Sequence, residues 1–303
     1  MTLAPAPFGR VLTAMVTPFR ADGSLDTDAA ARVAEHLVDH GNDGLVVSGT
    51  TGESPTTSTE EDGRLLRAVL EAVGDRATVV AGVGTNNTAH SVELAVQAEK
   101  LGAAGTLVVT PYYNKPTQEG LAAHFEAVAD AAGLPVMLYD IPGRSAIAIA
   151  EDTYRRVATH ERIVAVKDAV GDLYRGVRVM ADTGLAFYSG DDVLNLAWLT
   201  HGASGVVSVV GHVAGRRYAA MVEAVDRGDL DTALEIYRSL VPVVDVIMHR
   251  AQGAMTAKAA LQVLGVLDGR HVRLPLVPAG DDLVAEIRTV LRSAGLLEEP
   301  SPK

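Results

Sequence analysis

Lysine is scarce in this chain: the residues are Lys100, Lys115, Lys167, Lys258 and Lys303. Of these, only Lys167 closes a short apolar run that reads as a buried strand, Ile163-Val164-Ala165-Val166. An amine held there is stripped of water, which disfavours the ammonium form, lowers the pKa and leaves a nucleophile for a carbonyl carbon. That is the requirement of imine (Schiff-base) chemistry. The same position also suits a lysine that reaches out to a rim or pairs with Asp168 or Asp191. An imine catalyst needs a proton donor and acceptor beside it, and Tyr139 ends the preceding apolar run. Alternatively, Tyr139 is a core tyrosine with a satisfied hydroxyl. Gly49-Thr50-Thr51-Gly52 offers amides and two hydroxyls at a turn, suited to a carboxylate and to proton relay, or simply to capping a helix. Arg144, after Pro142-Gly143, is placed either to clamp a second carboxylate in bidentate fashion or to sit on the surface.

Other signals point away from metal and cofactor chemistry. There is no cysteine, which excludes disulfides, thiolate metal sites and cysteine nucleophiles. His36 and His40 have i, i+4 spacing but lack the glutamate of a metalloprotease helix, and belong to an outer helix. Asp191-Asp192 reads as the cap of a helix over 194–200 rather than as a metal ligand pair. Gly82-Val83-Gly84 lacks the rest of a nucleotide fingerprint and marks a close backbone approach at a strand end. The expectation is an imine in place of a Lewis acid, with no metal.

The elements that must position these residues follow a repeating pattern. Short apolar runs at 11–16, 44–48, 78–82, 106–110, 135–139, 163–167, 186–189 and 206–209 mostly lack alternation, as expected of strands buried on both faces of a parallel sheet. Helical stripes lie between them, such as Ala30, Val33, Ala34, Leu37 and Val38, or Leu65, Leu66, Val69, Leu70 and Val73. Asp26, Ser58 and Asp172 read as N-caps, and Gly41, Gly74 and Gly102 as stops. Eight strands alternating with helices predict an α/β fold, a (β/α)8 TIM barrel, over residues 1–228. A small helical C-terminal extension follows over 229–303, with helices at 230–248, 257–264 and 281–294. The rival, a doubly wound open sheet, lacks its glycine fingerprint, since Val16 runs into Thr17-Pro18-Phe19. In a barrel, polar residues just past each strand form the site, which gathers the Thr50, Tyr139, Arg144 and Lys167 segments at one face.

Composition sets the class. With 48% hydrophobic and 21% charged residues the chain can bury a large core. A formal charge of -12 opposes a nucleic-acid surface, which needs basic patches against phosphates. No window approaches the roughly 18 uninterrupted apolar residues of a membrane span. The first nine residues carry no basic and apolar leader pattern, so the expected location is cytoplasmic. The polar tail 298–303 is expected to fray.

Taken together, Gly49-Thr50-Thr51-Gly52-Glu53, Pro111-Tyr112-Tyr113-Asn114, Tyr139-Asp140-Ile141-Pro142-Gly143-Arg144, Lys167 and Ser189-Gly190-Asp191-Asp192 resemble, in order and spacing, the pyruvate-dependent class I aldolases. Within that superfamily they look most like the dihydrodipicolinate (4-hydroxy-tetrahydrodipicolinate) synthase family, over essentially the whole chain. The resemblance implies a lyase of lysine and diaminopimelate biosynthesis that condenses pyruvate with L-aspartate 4-semialdehyde. It implies that Lys167 forms the imine with pyruvate and that Tyr139 passes protons. Thr50 would link Tyr139 to Tyr113, which reaches into the neighbouring subunit's site; Thr51 would hold the pyruvate carboxylate and Arg144 that of the semialdehyde. Gly190 and Val207 match positions that present backbone groups at the pocket. No external cofactor enters, and the assembly implied is a homotetramer, a dimer of dimers. Members inhibited by lysine line an effector site with histidine and glutamate where this chain has Thr59, Asp62 and His90; Asn86 and Tyr112 are kept. That departure predicts weak or absent feedback. Sister enzymes on the same barrel, N-acetylneuraminate lyase or a 2-keto-3-deoxy sugar-acid aldolase, fit the Thr50-Thr51, Tyr112-Tyr113 and Arg144 set less well. A silent relative that only binds a 2-oxo acid would have lost Lys167, Tyr139 or the threonine pair.

Overall fold

The computed structural model describes residues 5–297, so the tail expected to fray at 298–303 lies outside the described residues. All eight apolar runs form strands: β1 Val11–Ala14, β2 Gly44–Val47, β3 Thr78–Gly82, β4 Gly105–Val109, β5 Val136–Asp140, β6 Ile163–Asp168, β7 Ala186–Ser189 and β8 Gly205–Ser208. They are parallel and close in sequence order into a barrel, with β8 paired to β1. The first run is shorter as a strand than as an apolar stretch, because the chain leaves the ladder at its end. Met15 N–H still reaches the Val46 carbonyl, but Val16 N–H is taken by Nε2 of His212.

Around the barrel run α1 Thr27–Asp39, α2 Thr59–Val73, α3 Thr88–Leu101, α4 Gln118–Ala131, the single turn α5 Pro142–Ser145, α6 Glu151–Val157, α7 Leu173–Thr183, α8 Asn195–Thr200 and α9 Gly211–Asp226. The expected caps are in place. Asp26 accepts from Ala29 N–H, Asp172 from Arg175 N–H, and Ser58 forms a reciprocal capping box with Glu61. Gly41 and Gly102 use the left-handed backbone that glycine adopts without strain, with φ of +92° and +89°. Gly74 ends α2 in a right-handed conformation instead, so its stop owes nothing to that freedom.

Ala30, Val33, Ala34 and Leu37 of α1, and Leu65, Leu66, Val69 and Val73 of α2, are buried against the barrel as their spacing requires. Inside the barrel a second cluster fills the bore, including Leu12, Val80, Met137, Ala165, Tyr188 and Val207. Phe8, fully buried, plugs the end from which the strands start. Room for it exists because Gly105 begins β4: a Cβ there would come within 2.4 Å of the Phe8 ring. The Tyr188 hydroxyl ties the plug down, accepting from Phe8 N–H at 3.2 Å and donating to the Gly9 carbonyl at 3.0 Å.

Three further helices follow, α10 Leu230–Met248, α11 Gly253–Val263 and α12 Asp281–Ser293, close to the helices expected after residue 228. Leu240, Val243 and Ile247 of α10 pack with Tyr218 and Met221 of α9 and with Ile287 and Leu291 of α12. On α11, Ala259 and Ala260 join that cluster, while Ala257 and Leu261 belong to the main core around the barrel. Among the described residues no helix is long and apolar enough to cross a membrane.

Candidate active site

The strand register places the two central residues side by side. Tyr139 of β5 and Lys167 of β6 are ladder partners near the ends of neighbouring strands, and both side chains turn inward. Lys167 Nζ lies 4.2 Å from the centroid of the Tyr139 ring. Both residues are only 5% exposed. Burial pushes the Lys167 amine down to about 8, with the Arg144 charge acting in the same direction and the Asp192 carboxylate opposing it. Burial pushes the Tyr139 phenol up to about 12, against the hydrogen-bonding Thr50 side chain and Arg144.

The alternative role for Lys167, pairing with Asp168 or Asp191, is not what the chain adopts. The Asp168 carboxylate accepts from Val170 and Gly171 N–H at 3.0 Å each. Asp191 accepts from Val193 N–H and caps a 3-10 turn, Asp192–Leu194. This corrects the expected cap: α8 starts only at Asn195, and Asp192 is no cap for it. Asp192 is buried and instead staples the end of β8, accepting from Val209 and Val210 N–H, the Ser208 hydroxyl and the Asn195 amide.

A cavity of about 210 Å³ opens at the C-terminal ends of β2 to β5, bordered by Ser48, Gly49, Thr50, Tyr112, Tyr139 and Arg144. Lys167 sits against Tyr139 and does not itself border that space. Thr51 is buried beside Thr50 and likewise does not line it. Arg144 stands on α5, exposed and with no ion pair among the described residues. Gly190 follows β7, and its N–H bonds the Asp168 carbonyl at 2.7 Å. A Cβ at Gly190 would lie 2.9 Å from Lys167 Cγ, so glycine there gives the lysine its channel. The Val207 side chain lies in the bore, 1% exposed. The close approach expected at Gly82 and Gly84 is present, since Cβ atoms there would meet Ser48 O at 2.4 Å and Val109 N at 2.2 Å.

Tyr113 does not join the others. It is 89% exposed with a left-handed φ of +73°, held outward by a loop in which Asn114 donates to the Asn86 carbonyl. Asp62 is half-buried and accepts from the Ser48 and Thr57 hydroxyls at 2.8 Å each. His90 lies 3.4 Å from Glu93. His36 donates to the His212 carbonyl and His40 to the His36 carbonyl, their rings 4.2 Å apart. Among the described residues no group of three or more His, Asp or Glu side chains is placed to hold a metal ion.

Two residues of the sequence motifs take partners that their motifs do not reveal. Asp140, next to Tyr139 but on the outer face of β5, is fully buried with Tyr154 and Arg175, and burial raises its carboxyl to about 6. Glu53, at the end of the threonine turn, is buried against Lys258 of α11. The available signal was a lone lysine inside the apolar text Ala257-Lys258-Ala259-Ala260-Leu261, which cannot be buried unpaired.

Known proteins resemble this chain over nearly its whole length. The dihydrodipicolinate synthetase family profile matches residues 7–294. A relative from Kineococcus radiotolerans, named 4-hydroxy-tetrahydrodipicolinate synthase, is 65% identical over 97% of this chain and 96% of its own length. A crystal structure of the Cyanidioschyzon merolae enzyme with lysine bound superposes with a TM-score of 0.93 at 41% identity, covering 97% of this chain and 100% of that one. The dihydrodipicolinate synthase of Acinetobacter baumannii, complexed with pyruvate, gives a TM-score of 0.91 at 33% identity over 96% of this chain and 100% of that one.

Proposed function

The chain belongs to the dihydrodipicolinate synthetase family, and from that premise we propose how its own residues carry out the 4-hydroxy-tetrahydrodipicolinate synthase reaction. The observation that carries the reading is the desolvated Lys167 amine beside the Tyr139 phenol, with the neighbouring Asp168 and Asp191 carboxylates engaged by backbone amides instead. The neutral amine adds to the C2 carbonyl of pyruvate, and the carbinolamine loses water to give the imine. Tyr139, a protonated phenol throughout the neutral range, donates and recovers protons as these species interconvert. Loss of a methyl proton converts the imine to an enamine. Its carbon attacks the aldehyde of L-aspartate 4-semialdehyde, and the product amine then displaces Lys167 as the ring closes.

In this scheme Thr51 and its amide hold the pyruvate carboxylate and Arg144 the carboxylate of the semialdehyde. Arg144 suits that task because its guanidinium has no internal partner and faces the cavity. Gly190 and Val207 contribute backbone at the pocket. Thr50 joins Tyr139 to a Tyr113 supplied by a neighbouring subunit in a homotetramer; within one chain Tyr113 is turned outward. The covalent imine makes an added cofactor unnecessary to this route.

Borohydride reduction with pyruvate is expected to add the mass of a reduced pyruvate adduct at Lys167, and Lys167→Ala to abolish both the adduct and turnover with the semialdehyde. Because the neutral amine is the nucleophile, the rate of imine formation is expected to rise with pH and level off above about 8. An adduct without turnover would keep the imine and reassign the aldehyde to that of a sister aldolase.

A further inference from the structure

The threonine turn ends on a residue whose backbone disfavours it. Glu53 has φ of +58° and ψ of +33°, a left-handed conformation that a side chain with a Cβ rarely adopts. It stands at the N-cap position of a 3-10 turn, Ser54–Thr56, yet its carboxylate caps nothing there. One oxygen accepts from Lys258 Nζ at 2.5 Å and the other from the Arg273 N–H at 2.9 Å. Lys258 is 1% exposed, donates also to the His271 carbonyl at 2.8 Å, and lies over the Phe19 ring. Arg273 spans the far side of the same segment, bonding the Thr56 carbonyl and both oxygens of Glu61.

The bonds to Glu53, Thr56 and Glu61 converge on one stretch, 53–61, just after Thr50 and Thr51. Within the turn itself the closing bonds are long, Glu53 N–H to Thr50 O at 3.2 Å and Ser54 N–H to Gly49 O at 3.3 Å. The turn is therefore held from outside, by α11 and the segment that follows it. A residue in an unfavoured conformation persists only where its surroundings over-determine it. A buried ion pair, costly in desolvation, is suited to fixing one geometry rather than to adding stability.

We propose that Lys258, with Arg273, is a positioning residue for catalysis: through Glu53 it fixes the Gly49-Thr50-Thr51-Gly52 turn so that Thr50 meets Tyr139. The C-terminal helices thereby set the geometry of a site to which they contribute no group that touches substrate. This rests on the imine reading for its kinetic consequence, but its structural consequence does not.

The test uses the full chain, with Lys258→Met and the double variant Lys258→Met/Glu53→Met, which removes both buried charges and so guards against misfolding of the single variant. Three quantities are read on protein shown by thermal melting to unfold cooperatively: hydrogen exchange of the 49–57 amides by mass spectrometry, the rate of borohydride-trapped imine formation with pyruvate, and the KM values for pyruvate and the semialdehyde in steady-state turnover. The expected result is faster exchange confined to 49–57 and imine formation slowed between about 10- and 100-fold, with KM for the semialdehyde unchanged because Arg144 stands on α5. Glu53→Gln, which keeps an acceptor for the Arg273 amide, should recover part of the rate. Wild-type exchange and wild-type imine rates in both variants would overturn the proposal. So would loss of cooperative folding in both, or a parallel rise in both KM values, since each marks a general structural role. Failure of the wild-type chain to trap pyruvate would instead sink the imine reading, while the exchange data still decide whether Lys258 holds the turn.

Discussion

At the scale of single residues, reactivity here is gained at the expense of stability. The Lys167 amine titrates near 10.5 when exposed and near 8 when folded, so between those values the unfolded chain binds more protons and stability rises with pH. Below 8 the whole cost is in force, about 3 kcal/mol for that difference in pKa. Lys167→Met is therefore expected to unfold at higher denaturant concentration than the wild type at pH 7, and to lose that advantage as the pH approaches 10.5. Equal midpoints at pH 7 would mean the amine is better solvated than its burial indicates. The sequence disclosed Lys167 because a charge at the end of an apolar strand is conspicuous; it could not disclose that Asp168 and Asp191 are occupied with backbone amides. That depends on how the loops after β6 and β7 fold back, which no local pattern encodes.

Among the elements, strand ends carry the tightest constraints. Gly84 follows β3 with no space for a side chain, and Gly84→Ala is expected to cost about 1–3 kcal/mol, measured by denaturant unfolding. His212 near the start of α9 accepts from Val16 N–H and donates to the Val209 carbonyl, so it must stay neutral; burial lowers its pKa to about 4. As pH falls from 6.5 to 4 the unfolded chain takes up a proton that the folded chain refuses, and stability falls. His212→Asn should be less stable at pH 7 but lose less on acidification, a contrast readable from unfolding midpoints at pH 7 and pH 4.5. The order of these elements was legible because buried parallel strands and amphipathic helices have different periods. The Lys258–Glu53 tie was not, because it joins residues 205 positions apart, and only the closed barrel brings them together.

For the molecule as a whole, the outward Tyr113 makes a prediction about subunits. If each site borrows that tyrosine, Tyr113→Phe and Lys167→Ala chains should be weak separately, yet regain activity when refolded together, since a mixed assembly contains sites with both groups. Recovery no greater than the sum of the parts would assign Tyr113 no role across the interface. The charge at the altered effector positions also bears on control: Asp62 is already engaged by two hydroxyls, and a titration with L-lysine is expected to leave most activity at millimolar concentrations. The plug formed by Phe8 has a further consequence. Behind that plug the bore is filled by side chains, so the Lys167 amine is approached from the C-terminal ends of the strands, and in the scheme proposed above traffic through that one opening would be last in, first out. If pyruvate is bound by Lys167 as proposed, it has to arrive first, and an aldehyde that enters early would stand in its way. On that scheme the second substrate would crowd the first at the shared opening, and the order of exit would follow too, because Lys167 would be vacated only when the finished ring lifts away.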